Sequence, residues 1–498
     1  MKHVACTFAV ALLLSASSRA TAATPCEDLS KLSLPNATIT VAQSVAAGAF
    51  TAPGGRGANP FADLPAFCRV AATLKPTSDS NIKIEVWLPA SGWNGKFEGV
   101  GNGVWNGNID QNALATALRR GYATAGTDTG HEGGGGPWMQ NKEKLIDYGY
   151  RSIHEMTAAA RKIVDAFYGS APKFAYFNAC SSGGRQGMKE AQMFPEDYDG
   201  IVAGSPALNP TGRAAYGIRV AQIVHKDDAS FIPQAKFAAI HDAALQACDA
   251  LDGVTDRVIT NPRACKFDPA VIACKAGEDT NACLTPAQVA SARALYQPFV
   301  NPRTKQVIHA SLEPGSELGW NVFAGPQPFG TALQYFQFMA SNNPEVDYKS
   351  LNFDDPATLA TLDNDIVNAK STDLKKFVAR GGKLIQYHGW SDPQIPPGGT
   401  VAYYEDVAKL LGSSVKDSYR LFMVPGMNHC GGGDGPATFD MLTALEQWVE
   451  QKKSPDSIPA SHVTNGAADR TRILCPHPQV ATFKGSGDPN DAKNYACK

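Results

Sequence analysis

The stretch Y-F-N-A-C-S-S-G-G-R-Q-G, Tyr176 to Gly187, decides the fold. With the residues just before it, F-A-Y-F-N from Phe174 reads as a short buried strand. From Gly183 to Met193 the chain can wind as a helix. Between the two, a pair of serines stands between a cysteine and two glycines. A serine hydroxyl is a poor nucleophile until a base takes its proton and a third group orients that base. One known solution puts the serine on a tight strand-to-helix elbow, with small residues two positions before and after it. Ser181 has Ala179 and Gly183 there, and Ser182 has Cys180 and Gly184. Alanine departs less from glycine than cysteine does, so Ser181 is the candidate nucleophile. The plain alternative is a glycine-rich turn with no chemistry.

On such an elbow the partners follow in the order serine, acid, histidine. The strand K-L-I-Q-Y-H-G-W-S-D-P, from Lys383, runs out at Asp392 in a tight turn. A carboxylate just past a strand end sits at the active edge of a parallel sheet. The strand R-L-F-M-V-P-G-M-N-H-C-G-G-G, from Arg420, runs out at His429 in a glycine-rich loop. Singly, Asp392 could cap a turn and His429 could be an ordinary loop residue; in order and each at a strand end, they make a triad with Ser181. His388 and His131 compete for the role of base. His388 lies within or at the end of its strand and His131 precedes the serine, so both rank below His429. An oxyanion hole needs two backbone N–H groups. One is expected from Ser182, after the nucleophile. The other is expected from Gly103 or Val104 in G-V-G-N-G-V-W-N-G, where glycines let the backbone approach a substrate.

Working outward, short strands alternate with helices. Strands are predicted at Ile82–Pro89, Tyr122–Gly126, Ile201–Gly204, from Gly382 and from Tyr419, and helices at 112–120, 152–168 and 439–452. The glycine-rich run from Trp93 to Asn108 reads as loop. This rhythm predicts an α/β fold, an α/β-hydrolase with a large inserted lid domain. The rhythm lapses over 206–345. The expected organisation is therefore core over 24–205, lid over 206–345 and core again over 346–498. A chain of 498 residues is too long for one ordinary core. A net charge of −2 argues against a nucleic-acid partner.

The first 23 residues read as a secretory signal peptide: Lys2, an apolar run from Phe8 to Leu14, then Ala20-Thr-Ala22 as the cleavage pattern. The alternative, a membrane anchor, needs roughly 20 apolar residues, and the run is shorter. A secreted or periplasmic protein with no membrane partner is expected. Of the 11 cysteines, Cys6 lies in the leader, and the other ten form an even set that reads as disulfides. Cys180 adjoins the candidate nucleophile and Cys430 the candidate base, so a hydrogen bond between Ser181 and His429 would bring the two cysteines together. The alternative, Cys180 as nucleophile, fits poorly with an oxidising compartment.

C-S-S-G-G-R-Q-G, G-W-S-D and P-G-M-N-H-C-G-G-G together resemble the tannase and feruloyl esterase family, which includes mono(2-hydroxyethyl) terephthalate hydrolases. The resemblance runs through nearly all of the mature chain. It implies Ser181 as nucleophile, His429 as base and acid, and Asp392 as orienter, with a Cys180–Cys430 bridge. It also implies the pairs Cys26–Cys68, Cys248–Cys265, Cys274–Cys283 and Cys475–Cys497, a connectivity that the sequence alone leaves open. The loop C-D-A-L-D-G-V-T-D-R-V, from Cys248, reads by itself as either a solvated acidic turn or an oxygen-ligand site suited to Ca²⁺. The resemblance implies structural Ca²⁺ in the lid, held by Asp249, Asp252 and Asp256 and by the carbonyls of Val254 and Val258. The implied substrate is a small aromatic ester: feruloyl first, galloyl second, a terephthalate half-ester third, because the lid looks short for the last. Trp320, Phe323, Phe329, Tyr335, Phe336 and Phe338 could face that substrate or form lid core. The reading from a different class is a non-catalytic secreted binding protein on a hydrolase scaffold.

Overall fold

The computed structural model describes residues 23–52 and 58–498. The signal-peptide reading falls on the leader and lies outside these residues, apart from its last position. Nine strands form the central sheet: β1 Ala37–Val45, β2 Phe67–Leu74, β3 Ile82–Pro89, β4 Lys96–Val100, β5 Ala123–Thr127, β6 Phe174–Cys180, β7 Gly200–Gly204, β8 Lys383–Gly389 and β9 Tyr419–Val424. Their order is β1-β2-β3-β5-β4-β6-β7-β8-β9. The first three are antiparallel, as is the β3–β5 pair, and the rest run parallel. The β4–β5 reversal of order is what right-handed crossovers through helices produce.

Parallel strands must be covered on both faces, and β6 shows how this chain does it. Ala175 and Phe177 point into a cluster with Ile153, Met156 and Val164 of helix Ser152–Tyr168 and Met188 of helix Ser182–Met193. Tyr176 points the other way, into a cluster with Val202, Ile385, Leu445 and Trp448, the last two on helix Met441–Gln451.

β4 corrects the loop reading of the Trp93–Asn108 run. Gly99 is a strand residue, and a Cβ there would stand 2.4 Å from the Tyr198 hydroxyl. That glycine is required by close packing in mid-sheet, and no turn is involved.

Between Gly204 and Lys383 no strand of the central sheet occurs. This segment carries helices Pro210–Val224, Phe237–Cys248 and Pro286–Leu295 and packs about a cluster that also takes in Trp105, Met139, Leu145 and Tyr148. Trp320, Phe323, Tyr335 and Phe336 belong to that cluster's buried interior, while Phe329 and Phe338 are half-buried against it. Phe353, Leu362 and Val367 join it too, so the lid's packing runs past the boundary at 345 drawn from the sequence.

The candidate active site

Sheet register brings the site together. Cys180 pairs with Gly204, Gly204 with Tyr387, and Tyr387 with Phe422. The chain segments leaving β6, β8 and β9 therefore emerge side by side at one carboxyl edge. Ser181, Asp392 and His429 each lie in one of those segments.

Ser181 turns between β6 and helix Ser182–Met193 with φ 65° and ψ −126°, a conformation that non-glycine residues rarely adopt. Such strain costs roughly 1–3 kcal/mol and persists only where the surroundings over-determine it. Here Ser181 N–H donates to Gly204 O at 2.9 Å, and Ser181 O accepts from Arg185 N at 3.0 Å and Ala207 N at 3.1 Å. A Cβ on Gly183 would lie 2.6 Å from the Ala179 methyl, and one on Gly184 2.4 Å from Gly204 O. Gly101 lies against the same methyl, at 2.9 Å from its own notional Cβ. Ala179 can therefore replace the usual glycine because two neighbouring glycines leave it room.

His429 Nε2 lies 2.9 Å from Ser181 Oγ, and its Nδ1 lies 2.7 Å from Asp392 Oδ2. Asp392 is fully buried. Its Oδ1 accepts from the N–H groups of Gln394 at 2.8 Å and Ile395 at 2.9 Å. Burial opposes its charge, but His429 and the hydrogen bonds from His388 and His429 hold the carboxyl well below the usual carboxylate range. Cys180 and Cys430, 250 positions apart in the sequence, are joined, Cα to Cα 6.0 Å. The other bridges join Cys26 to Cys68, Cys248 to Cys265, Cys274 to Cys283 and Cys475 to Cys497.

The two competing histidines have other work. His388 is completely buried, with Nε2 3.1 Å from Asp392 Oδ2 and 2.9 Å from Ile395 O, and Nδ1 2.7 Å from Thr400 Oγ1. Facing two acceptors, Nε2 carries the proton and donates to Asp392. Sequence reasoning saw His388 only as a rival base; its four-residue spacing from Asp392 across a turn was the available signal. His131 stacks on Trp138 and lies 2.8 Å from Trp105 O, bracing the glycine-rich loop. Burial pushes its imidazole below the ordinary histidine range.

That loop is fixed at several points. Asn102 Nδ2 donates to Asn108 O at 2.8 Å and Thr127 O at 2.7 Å, while Asn102 N–H donates to Gln186 Oε1 at 3.0 Å. Tyr148 OH donates to Val104 O at 2.8 Å, and Val104 has φ 41°. Gln186 lies on the elbow helix, so the loop and the elbow are pinned to each other. Among the described residues, the N–H groups of Gly103, Val104 and Ser182 donate to no protein acceptor.

The acidic loop is built differently. Asp249 Oδ1 accepts from Asp256 N at 3.2 Å and Val258 N at 3.3 Å, and its Oδ2 from Arg257 N at 2.9 Å. Asp252 accepts from Val254 N at 3.0 Å and Thr260 Oγ1 at 2.5 Å. Asp256 meets Arg472 at 2.5 Å and Arg470 at 3.3 Å. Burial, and then the charges of Asp256 and Asp249, push the Asp252 carboxyl up. The carbonyls of Val254 and Val258 accept no protein hydrogen bond among the described residues. These donor types fit a hard cation. The side chains, however, face N–H groups and guanidinium rather than one another, and among the described residues no three acidic, histidine or cysteine side chains converge as a metal-ligating group.

Comparison with known proteins agrees with this construction. Residues 68–498 match the family described as tannase and feruloyl esterase. An uncharacterized esterase of Xanthomonas campestris is 37% identical, over 96% of this chain and 92% of its own. A probable feruloyl esterase B-1 of Aspergillus oryzae is 31% identical, over 88% and 85%. The crystal structure of feruloyl esterase B from Aspergillus oryzae superposes with a TM-score of 0.89 at 29% identity, covering 95% of this chain and 99% of that one. Tannin acyl hydrolase from Aspergillus niger shares the fold, with a TM-score of 0.76 at 20% identity over 93% and 92% of the two chains. Among the described residues no helix is long and apolar enough to cross a membrane. An α/β sheet that delivers serine, carboxylate and histidine to one edge, and relatives that match it over nearly its whole length, place this chain in the tannase and feruloyl esterase family, as a carboxylic ester hydrolase.

Proposed function

We propose that this esterase cleaves esters of aromatic carboxylic acids, feruloyl esters foremost, through an acyl-enzyme on Ser181. The reading rests on the unbroken hydrogen-bonded series Ser181 Oγ, His429, Asp392, at 2.9 and 2.7 Å. Ser181 Oγ bonds to the ester carbonyl carbon as His429 Nε2 takes the hydroxyl proton. The carbonyl oxygen becomes an oxyanion, received by the N–H of Ser182 and that of Gly103 or Val104. As the ester C–O bond breaks, the leaving alkoxide takes the proton from Nε2. Water then repeats the sequence: its proton goes to Nε2, its oxygen to the acyl carbon, and Ser181 leaves with the proton. Asp392 stays ionised throughout. Accepting at Oδ2, it keeps the proton of neutral His429 on Nδ1 and stabilises the imidazolium that forms.

The feruloyl preference comes from the feruloyl esterase relatives, with galloyl and terephthalate half-esters as alternatives. Turnover of methyl ferulate, methyl gallate and a terephthalate half-ester, compared at equal enzyme concentration, tests it; ferulate as the poorest of the three would overturn the preference. No turnover of any ester, or undiminished turnover by Ser181→Ala, would favour a binding protein on a hydrolase scaffold.

The protein is read as secreted or periplasmic, since five disulfides persist in an oxidising compartment. Ca²⁺ is read as a structural ion of the lid, held by Asp249, Asp252, Asp256 and the carbonyls of Val254 and Val258. What supports it is the donor set, three carboxylates in one loop with two unengaged carbonyls. Bound there, the ion would brace the loop and take no part in acyl transfer. Calcium content by elemental analysis, with melting before and after chelation, is the test. No bound calcium and an unchanged melting temperature would remove the ion from the reading.

A further inference from the structure

Behind the Asp392 turn lies a cavity of about 400 Å³, between the lid segment around Val307–Ala310 and helix Gly398–Leu411 of the core. That volume is in the range of small-molecule sites. Much of its wall is apolar, with Leu208, Ile308, Ile395 and Tyr403 among the contributors. One buried cation lines it: Arg213, whose residue is 5% exposed.

Arg213 is poorly served by the protein around it. A guanidinium has five N–H donors and is never deprotonated in proteins. Here Nη1 reaches Gln394 O only at 3.5 Å, Nε is buried with no partner, and no carboxylate forms an ion pair with it among the described residues. Its remaining support is the face of Phe329, 5.0 Å from the guanidinium carbon. Burial pulls its basicity down to about 10, with distant Tyr148 and Asp392 offsetting this only in part. A buried charge without a hydrogen-bonded counterion costs several kcal/mol, so this guanidinium is built for an acceptor that the chain does not supply.

The other ionisable groups on the wall leave that positive field in place. His309 donates from Nδ1 to Ala310 O at 2.9 Å and is held neutral, burial pushing it down to about 4. Asp406 is engaged with Lys409 at 2.8 Å, and Lys370 with Asp363 at 3.2 Å.

We propose that this cavity binds a small apolar monocarboxylate, its carboxylate on Arg213 and its hydrocarbon part against the apolar wall. Ester hydrolysis releases compounds of this kind, and none of Ser181, Asp392 or His429 lines the cavity, so the occupant is the free acid rather than the ester undergoing attack. The walls touch the supports of the triad. Ile395 N–H donates to Asp392, Thr400 bonds His388, and Ala207 N–H donates to Ser181 O. An occupant is therefore in a position to be felt at the reacting serine.

The test uses the full chain and two probes, benzoate and trans-cinnamate, titrated calorimetrically into Ser181→Ala protein. Neither probe is turned over, so the reading is independent of the esterase assignment. Expected is saturable binding at millimolar concentration or tighter, weakened at least roughly tenfold in Arg213→Gln and less in Arg213→Lys. No saturable binding by the Arg213-containing protein overturns the proposal, whatever the variants do. Binding that is unaltered in a folded Arg213→Gln, checked by its melting curve, overturns it too. With active enzyme, inhibition by the probes that leaves KM unchanged and is lost in Arg213→Gln supports a site apart from the reacting serine; inhibition that is competitive and unaltered in Arg213→Gln overturns it.

Discussion

Two buried aspartates, Asp392 and Asp249, solve the same local problem and end with opposite properties. Each accepts N–H groups from residues that follow it, Asp392 across a tight turn and Asp249 across a longer loop. Asp392 spends only Oδ1 on its own turn, on Gln394 and Ile395, and leaves Oδ2 for His429 and His388. Asp249 spends both oxygens on the N–H groups of Asp256, Arg257 and Val258. One carboxylate is a relay between distant segments; the other is the hub of its own loop. An oxygen left free by the local turn, more than burial or charge, separates a reactive aspartate from a structural one here.

Substitution should separate them sharply. Asp392→Asn is expected to lower kcat by roughly 10³–10⁴-fold and Ser181→Ala by at least roughly 10⁴-fold, each with little change in melting temperature. Steady-state kinetics on a chromogenic aromatic ester reads both. A kcat within tenfold of wild type in either variant would erase the distinction.

Removing the clasp beside the triad, with Cys180 and Cys430 both changed to serine, should cost about 2–5 kcal/mol of stability, measured by denaturant unfolding. His388→Leu takes one donor from Asp392 and should lower kcat/KM by about tenfold or more, as expected for a hydrogen bond to a charged group. His388→Gln should recover part of that loss if a donor is what matters. Asp249→Asn should reverse the pattern of Asp392→Asn: stability falls by about 1–3 kcal/mol while kcat at 25 °C stays near wild type.

The smallest effect tests the link between the two regions. His241 lies on the helix that leads into Asp249, 2.8 Å from Glu317 and 3.6 Å from Asp434, which follows the His429 loop. Burial lowers its pKa, but the two carboxylates prevail and raise it to about 9. A folded value above the unfolded 6.5 means the imidazolium favours the folded state. The contribution is complete below about pH 6.5 and fades as pH rises through about 9. The melting-temperature gap between wild type and His241→Gln should follow that course; a gap that widened with pH would sink it.

The legible parts of this chain are those whose reasons are local. The elbow is written in consecutive residues, because Gly183 and Gly184 are dictated by clashes with Ala179 and Gly204. The helix read over 152–168 matches Ser152–Tyr168: its apolar stripe is local, and Gly169, in the left-handed region, ends it. Asp392 and His429 were visible as residues just beyond strand ends. What stayed hidden depends on partners far along the chain. The donation from His388 to Asp392 requires the turn that folds Ile395 O over the ring; the spacing in H-G-W-S-D allows it but does not place Ile395. β4 was hidden by its glycines, read as turn formers when Gly99 serves packing against Tyr198. Arg213 carries no signal in the sequence: its burial comes from partners far along the chain, Phe329 and Gln394 among them.

The Cys180–Cys430 bridge has one more consequence. It closes a covalent ring that contains the whole lid, with the nucleophile and the base both at the clasp. The two ends of that ring are thus tied to each other by a bond as well as by packing, so the serine and the histidine stay in register through a link that owes nothing to the lid's own contacts.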